Sequence, residues 1–372
     1  MKQESGRLRY ISPLLKMTQT TPTCLWNDSV TLSELTSSIE HGAVGATCNP
    51  VIVLDTLKRE PDLWNARILA LAEEMPTATE DEIGWALVKE ISSTRAELLE
   101  PAFLEHKGRN GRLSIQTDPR QYRNSRALIE QGIEFHRLAP NMIVKVPATQ
   151  AGILATEELT SLGVSINATV CFSLPQCMEV AEAVERGLRR REAQGEGVSH
   201  MGPVCTIMVG RLDDWLKVYA EKQDIILDPG CLEWAGVAVF KKAYRIFQER
   251  GYRIRLLSAA FRNHMHWSEL IGGDLVISPP WKWQERFNAS DVQVMSRIDK
   301  PVEQQIVQQL LTKFPDFERA YNEEGLSWKE FDTFAPTRRT LRQFIEACHD
   351  LAGQVRDLIL PNPDTACWST NR

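Results

Sequence analysis

The sequence has little of what would place it in a membrane, outside the cell or on nucleic acid. No apolar run reaches the roughly 20 residues that a membrane helix needs. The opening stretch, MKQESGRLRYISPLLKMTQ, lacks an apolar core long enough for a signal peptide. The eight cysteines (24, 48, 171, 177, 205, 231, 348 and 367) include no C-x-x-C pair. Several sit in apolar strand-like runs, as in Val204-Cys205-Thr206-Ile207 and Val170-Cys171-Phe172. They read as reduced core residues of a cytoplasmic protein. The formal net charge of −6 gives no electrostatic footprint for nucleic acid, so a phosphorylated ligand needs a local basic site. No G-x-G-x-x-G or P-loop motif is present. His264 and His266 lie two apart, without H-E-x-x-H or cysteine spacing, so no metal is expected. There is no internal repeat and no low-complexity run.

What is present is a large apolar fraction, 43% of 372 residues, enough for a sizeable core. Length alone permits two domains, but α/β barrels run to roughly 250 residues or more as one. Strand-like stretches alternate with helical ones. Thr23–Asp28, Val44–Pro50, Arg112–Pro119, Met142–Thr149, Val164–Phe172, Val204–Val209, Arg253–Phe261 and Leu275–Pro280 read as strands. Thr31–His41, Trp64–Glu74, Glu80–Glu100, Tyr122–Leu138, Gly152–Leu162, Ser173–Arg191 and Leu232–Arg250 have helical spacing, and Asp213–Tyr219 starts another helix. Such alternation predicts a parallel sheet with crossovers, and eight units predict a closed (β/α)8 TIM barrel. The expected layout is one barrel domain over residues 20–360. It carries a helical insertion near 60–108, C-terminal helices at 300–360, and tails at 1–19 and 361–372.

One strand stands out. Met142-Ile143-Val144-Lys145-Val146-Pro147 is an apolar run of the kind buried on both faces, interrupted by a lysine. A lysine at a strand end that snorkels to water is one reading. The other is a desolvated, neutral, nucleophilic amine of Schiff-base type. Polar residues on the other strands weigh toward the second. In a parallel barrel the strand C-ends face the active site. There the sequence puts Asp28, Asn49, Gln116, Asn167 with Thr169, Thr206, Arg211 and Arg262. So many inward polar groups are costly in a pure core. The two arginines suit a phosphate or carboxylate clamp. The cluster Trp281-Lys282-Trp283 fits either a cap on the barrel mouth or an anchor for the C-terminal helices.

Several segments, in order, resemble the transaldolase family. They are Trp26-Asn27-Asp28-Ser29, Ala46-Thr47-Cys48-Asn49-Pro50 and Ile143-Val144-Lys145-Val146-Pro147-Ala148-Thr149. Then come Ile166-Asn167-Ala168-Thr169-Val170-Cys171-Phe172-Ser173 with Gln176, Val209-Gly210-Arg211-Leu212-Asp213-Asp214-Trp215, and Ala259-Ala260-Phe261-Arg262-Asn263. The resemblance implies a barrel enzyme that moves a dihydroxyacetone unit from a ketose phosphate such as fructose 6-phosphate to an aldose phosphate. The implied setting is the pentose phosphate pathway. It implies no metal and no organic cofactor. Partners are sugar phosphates rather than nucleic acid or membrane, and a homodimer is allowed. Carried over, Lys145 forms the imine, Asp28 is the acid/base, and Asn49 and Asn167 hold the dihydroxyacetone moiety. Thr169 helps position the catalytic water, Thr206 stands where the family has Ser, and Arg211 with Arg262 bind phosphate.

Three departures stand out. Gln116 takes the place of the family's catalytic Glu and resembles the related fructose 6-phosphate aldolases; a Gln can orient water but cannot take a proton. Met208 replaces an aromatic residue, and Ala260 replaces a Ser of the phosphate segment. The expectation is a transaldolase-type transferase of aldehyde or ketone groups. An aldolase-like or specialised-pathway C–C lyase is the alternative, and a non-catalytic sugar-phosphate-binding barrel the second.

Overall fold

The computed structural model describes residues 11–364. Among them eight strands close into a parallel barrel. They are β1 (Cys24–Asn27), β2 (Ala43–Cys48), β3 (Arg112–Gln116), β4 (Met142–Pro147), β5 (Ile166–Cys171), β6 (Val204–Ile207), β7 (Arg255–Ala259) and β8 (Val276–Ser278). Each strand pairs in parallel with the next, and β1 closes on β8 through Cys24↔Val276 and Leu25↔Ile277. The expected (β/α)8 TIM barrel with additional helices is the fold.

Alternation along the strands sorts side chains between the barrel interior and the helical shell. Trp26, Ile143, Val204, Leu257, Ala259 and Val276 pack together inside. Trp26 fills much of that space because β2 yields to it. A Cβ at Gly45 would lie 2.4 Å from the indole, so only glycine fits. Outward residues such as Leu113, Ile115, Met142, Val144 and Val146 pack against the surrounding helices. The N-terminal end of the barrel holds Arg112 and Arg255, both buried, bonded largely to carbonyl oxygens of Gly108, Met142, His200 and Arg109.

Capping chemistry starts several helices right at the strand C-ends. Asn49, Thr149 and Ser173 each accept a backbone N–H of the first helical turn, from Ile52, Gly152 and Gln176. After β4 the chain turns so tightly that a Cβ on Gly152 would strike the Pro147 carbonyl oxygen at 1.7 Å. Between β2 and β3 run helices Pro50–Arg59, Pro61–Glu74, Glu80–Glu97 and Glu100–Glu105. The C-terminal helix Ala335–Ile359 packs on Pro50–Arg59 and Glu80–Glu97 and reaches Val209–Lys222 and β5.

Some boundaries differ from those read in the sequence. Residues 1–19 were expected as a tail, yet Pro13–Thr20 is a helix. Ser12 caps it, Pro13 opens it, and Leu14 and Met17 are buried one turn apart. Residues 1–10 and 365–372 of the two expected tails lie outside the described residues. Helix Val209–Lys222 begins earlier than expected, so Arg211 stands in its first turn. Between β7 and β8 the chain forms only the short helix Met265–Ser268. Trp281 opens a further helix, Trp281–Asn288. The two tryptophans of the cluster have different neighbours. Trp283 packs on Phe287, which stacks on Trp267. Trp281 lines the cleft at the barrel mouth.

Candidate active site

Lys145 sits in the middle of a polar layer at the C-terminal half of the barrel. It pairs in register with Gln116 on β3 and with Asn167 on β5. Only 4% of it is exposed. Burial pushes its ammonium toward the neutral amine, and the like charge of Arg211 pushes the same way; Asp28 pulls in the opposite direction. The net direction is down, which favours a free lone pair.

Asn167 is held on both sides of that lysine. It donates to Ser114 Oγ at 2.9 Å, and its carbonyl accepts from Thr206 Oγ1 at 2.6 Å. All three are buried. Thr169, two residues on, is fully buried and reaches the Met208 thioether at 3.9 Å. Val170 follows it at φ 54°, a left-handed conformation that costs a β-branched residue about 1–3 kcal/mol. The β5–β6 register shifts at this point. Gln176 holds the bend in place: Nε2 donates to the Val170 and Ala148 carbonyls, and Oε1 accepts from Phe172 N. The motif position Gln176 is thus a fastener between the ends of β4 and β5.

Asp28 stands at the end of β1, half-buried, and accepts from Thr47 Oγ1 at 2.5 Å. Asn49, 7% exposed, spends its side-chain oxygen on capping Pro50–Arg59. Cys48, between Thr47 and Asn49, belongs to the apolar shell outside the barrel, and burial pushes its thiol up to about 11.

Four polar atoms in and around this layer are buried without a partner: Gln116 Oε1, Ser278 Oγ, Trp26 Nε1 and Arg211 Nε. Each such group costs about 1–3 kcal/mol unless a ligand or water meets it. Gln116 Oε1, beside Lys145, and Arg211 Nε, at the mouth, are the two of these that a polar guest entering the barrel would meet.

Arg211 and Arg262 are brought to one side of the mouth but differ in environment. Arg211 bonds Gln343 and lies over the Phe344 ring, both from the C-terminal helix. Burial first, and Arg262 second, drop its guanidinium to about 10. Arg262 is exposed and bidentate with Asp214. Its loop is fixed from beneath: the Arg262 N–H donates to His266 Nδ1, so His266 Nε2 carries the proton toward Asp213 at 2.9 Å. Ala260, just before it, is left-handed at φ 63°. A cleft of about 550 Å³ opens between Asp28, Arg211, Trp281, Lys282, Gln343 and Glu346.

Of the nine residues singled out in the sequence, Gln116, Lys145, Thr169 and Thr206 lie in the C-terminal halves of their strands, Asp28, Asn49, Arg211 and Arg262 lie just beyond strand ends, and Asn167, expected at a strand end, is instead the second residue of β5. Sequence reasoning missed Thr47, Ser114, Gln343 and Asp214. Thr47 and Ser114 were detectable, since each shares its strand face with a chosen residue. Gln343 carried no local signal.

The chain matches the model of the transaldolase/fructose-6-phosphate aldolase family over residues 25–349. It is 30% identical over 197 residues to transaldolase 2 of Streptomyces avermitilis, covering 51% of this chain and 52% of that protein. To transaldolase 1 of the same organism it is 32% identical over 233 residues, 60% and 61% of the two chains. To the transaldolase of Mycobacterium tuberculosis it is 30% identical over 218 residues, 55% of each. The chain spans about half to three fifths of the length of these curated relatives. The family match runs from the first barrel strand into the C-terminal helix, and it makes this chain a member of the transaldolase/fructose-6-phosphate aldolase family.

Proposed function

We propose that the chain transfers a dihydroxyacetone unit between sugar phosphates through an imine on Lys145. The observation that carries this reading is a lysine buried in a polar barrel layer with its amine driven toward neutrality. Lys145 Nζ attacks the ketose carbonyl, and loss of water gives the imine. Asp28 takes the proton of the hydroxyl next to the bond that breaks. The protonated imine accepts the electron pair, leaving an enamine that attacks an incoming aldose phosphate. Asn167 and Asn49 meet the dihydroxyacetone hydroxyls, exchanging their present partners for them. Thr169 and Gln116 orient the water lost and regained at the imine carbon. Arg211 and Arg262 take the phosphate, with Asp214 and Gln343 as the groups it displaces. No metal or organic cofactor enters these steps. Sugar-phosphate metabolism in the cytoplasm, of the pentose phosphate type, is the setting this reading implies, and a homodimer is compatible with it. No described helix is long and apolar enough to cross a membrane.

A second reading has one observation in its favour. Gln116 cannot accept a proton, as in the fructose 6-phosphate aldolases it resembles, so release of free dihydroxyacetone competes with transfer. The two separate in one assay. The chain is incubated with fructose 6-phosphate, with and without erythrose 4-phosphate. Transfer predicts turnover that depends on the acceptor. Free dihydroxyacetone appearing equally fast without acceptor makes the chain an aldolase. No turnover with either overturns both.

A further inference from the structure

Away from the barrel mouth, three thiols converge in the wall of the barrel. Cys171 ends β5, Cys205 lies on β6, and Cys177 lies on helix Leu174–Ala193 packed against them. All three are 0% exposed. The Sγ atoms of Cys171 and Cys177 are 3.3 Å apart, those of Cys171 and Cys205 are 4.0 Å apart, and all three lie within 4.8 Å of one another. The convergence has a backbone cause. The left-handed turn at Val170 and the register shift of β5 set Cys171 into the same outer core cluster as Cys205. Among the described residues no other group of three such side chains comes together.

Metal–sulfur bonds of about 2.3 Å leave bound sulfurs roughly 3.5–4 Å apart, so the triangle is close to a bound geometry. A disulfide would join two of these sulfurs and leave the third unused. Charge then selects among ions. The surroundings are apolar, and a net charge buried there is costly. Zinc on three thiolates leaves one negative charge, and its structural sites take four ligands. Cuprous copper on three thiolates leaves two negative charges. A trivalent centre on three thiolates is neutral.

We propose that Cys171, Cys177 and Cys205 form a three-thiol site for a trivalent thiophilic metalloid, taken up as neutral arsenous acid. The step balances without an oxidant. Three S–H bonds and three As–O bonds break, three As–S bonds form, and the three hydroxyls leave as three waters. The oxidation state and the net charge are unchanged. The site reaches the barrel layer through one short path: the Cys171 carbonyl accepts from Met208 N at 2.9 Å, and the Met208 sulfur accepts from Thr169.

The test uses the reduced, native full chain with arsenous acid, desalted and weighed intact under native conditions. The expected result is one adduct heavier by one arsenic less three hydrogens. Cys171→Ala, Cys177→Ala and Cys205→Ala should each lose it by at least tenfold in occupancy, while the combined Cys24→Ser, Cys231→Ser and Cys348→Ser variant keeps it. Absence of the adduct in the unsubstituted chain overturns the proposal, as does its persistence in a single alanine variant with a native circular dichroism spectrum. A second measurement does not depend on the variants. Alkylation in denaturant, run on the chain with and without arsenous acid and followed by peptide mapping, should find Cys171, Cys177 and Cys205 newly protected by the metalloid, and new protection of any other set overturns the site. Zinc in place of arsenous acid should not survive desalting. Zinc retained at one per chain and lost in Cys177→Ala overturns the choice of a trivalent occupant.

Discussion

Gln116 and Lys145 lie side by side, paired in register on β3 and β4, and the Gln116 carbonyl oxygen is buried with no partner. An amide there can orient a water but cannot take its proton. On the proposed reading this is where proton movement at the imine is limited. Gln116→Glu should add an ionisation to the pH profile of imine formation and change its rate on the order of tenfold or more. Stopped-flow measurement of imine formation across pH checks this; an unchanged profile removes Gln116 from the water-handling role.

Lys145 should be a stability liability. Its ordinary value is 10.5, and burial lowers it in the folded chain, so the unfolded chain binds the proton more tightly. That penalty is fully present below the folded value and fades as pH rises toward 10.5. Lys145→Met, which keeps the volume and removes the amine, should abolish turnover and stabilise the fold by about 1 kcal/mol at neutral pH. Urea unfolding at several pH values checks it. The gain should shrink as pH rises through the alkaline range; a gain that grows contradicts the sign.

Arg211 acts on two things at once. It stands at the mouth, where the proposed reading makes it half of a phosphate clamp, and its charge lowers the Lys145 amine. Charge-assisted hydrogen bonds are worth about 1.5–3 kcal/mol, so Arg211→Gln should raise KM for a phosphorylated donor by roughly 10- to 150-fold. The same change should move the pH profile of imine formation toward alkaline pH. A raised KM with an unmoved profile would separate the clamp from the electrostatic effect.

The Thr206–Asn167–Ser114 chain holds the Asn167 amide in one orientation. Thr206→Val keeps the shape but leaves the buried Asn167 oxygen without its donor. It should cost about 1–3 kcal/mol of stability, whereas Thr206→Ser should cost far less. Denaturant midpoints of the two variants decide it; equal losses would mean that packing, not the hydrogen bond, is what Thr206 supplies.

The barrel was legible because its signals are local. Period-two alternation in Arg112–Gln116, apolar runs such as Met142–Val144, and helical spacing between them are written within a few residues each. The polar strand positions were legible for the same reason, since Lys145 interrupts an apolar run while Gln116 and Asn167 stand on the polar face of an alternating one. What escaped was set by tertiary contact. Gln343 meets Arg211 across 132 residues of chain, and nothing near Gln343 announces it. Asp214 was in view within a motif, but its pairing with Arg262 depends on how helix Val209–Lys222 meets the loop after β7. The left-handed turn at Val170 contradicts the preference of a β-branched residue and is held by Gln176, so local propensity pointed away from it. Six of the cysteines are buried as read, while Cys24 is half-buried and Cys367 lies outside the described residues; the convergence of three of them appears only when that turn is known.

The most direct test of the account is reductive trapping. The chain is incubated with fructose 6-phosphate, reduced with borohydride, weighed intact and mapped by peptide. The account predicts one covalent adduct per chain, on Lys145, absent in Lys145→Ala. No adduct, or an adduct that survives Lys145→Ala, contradicts it.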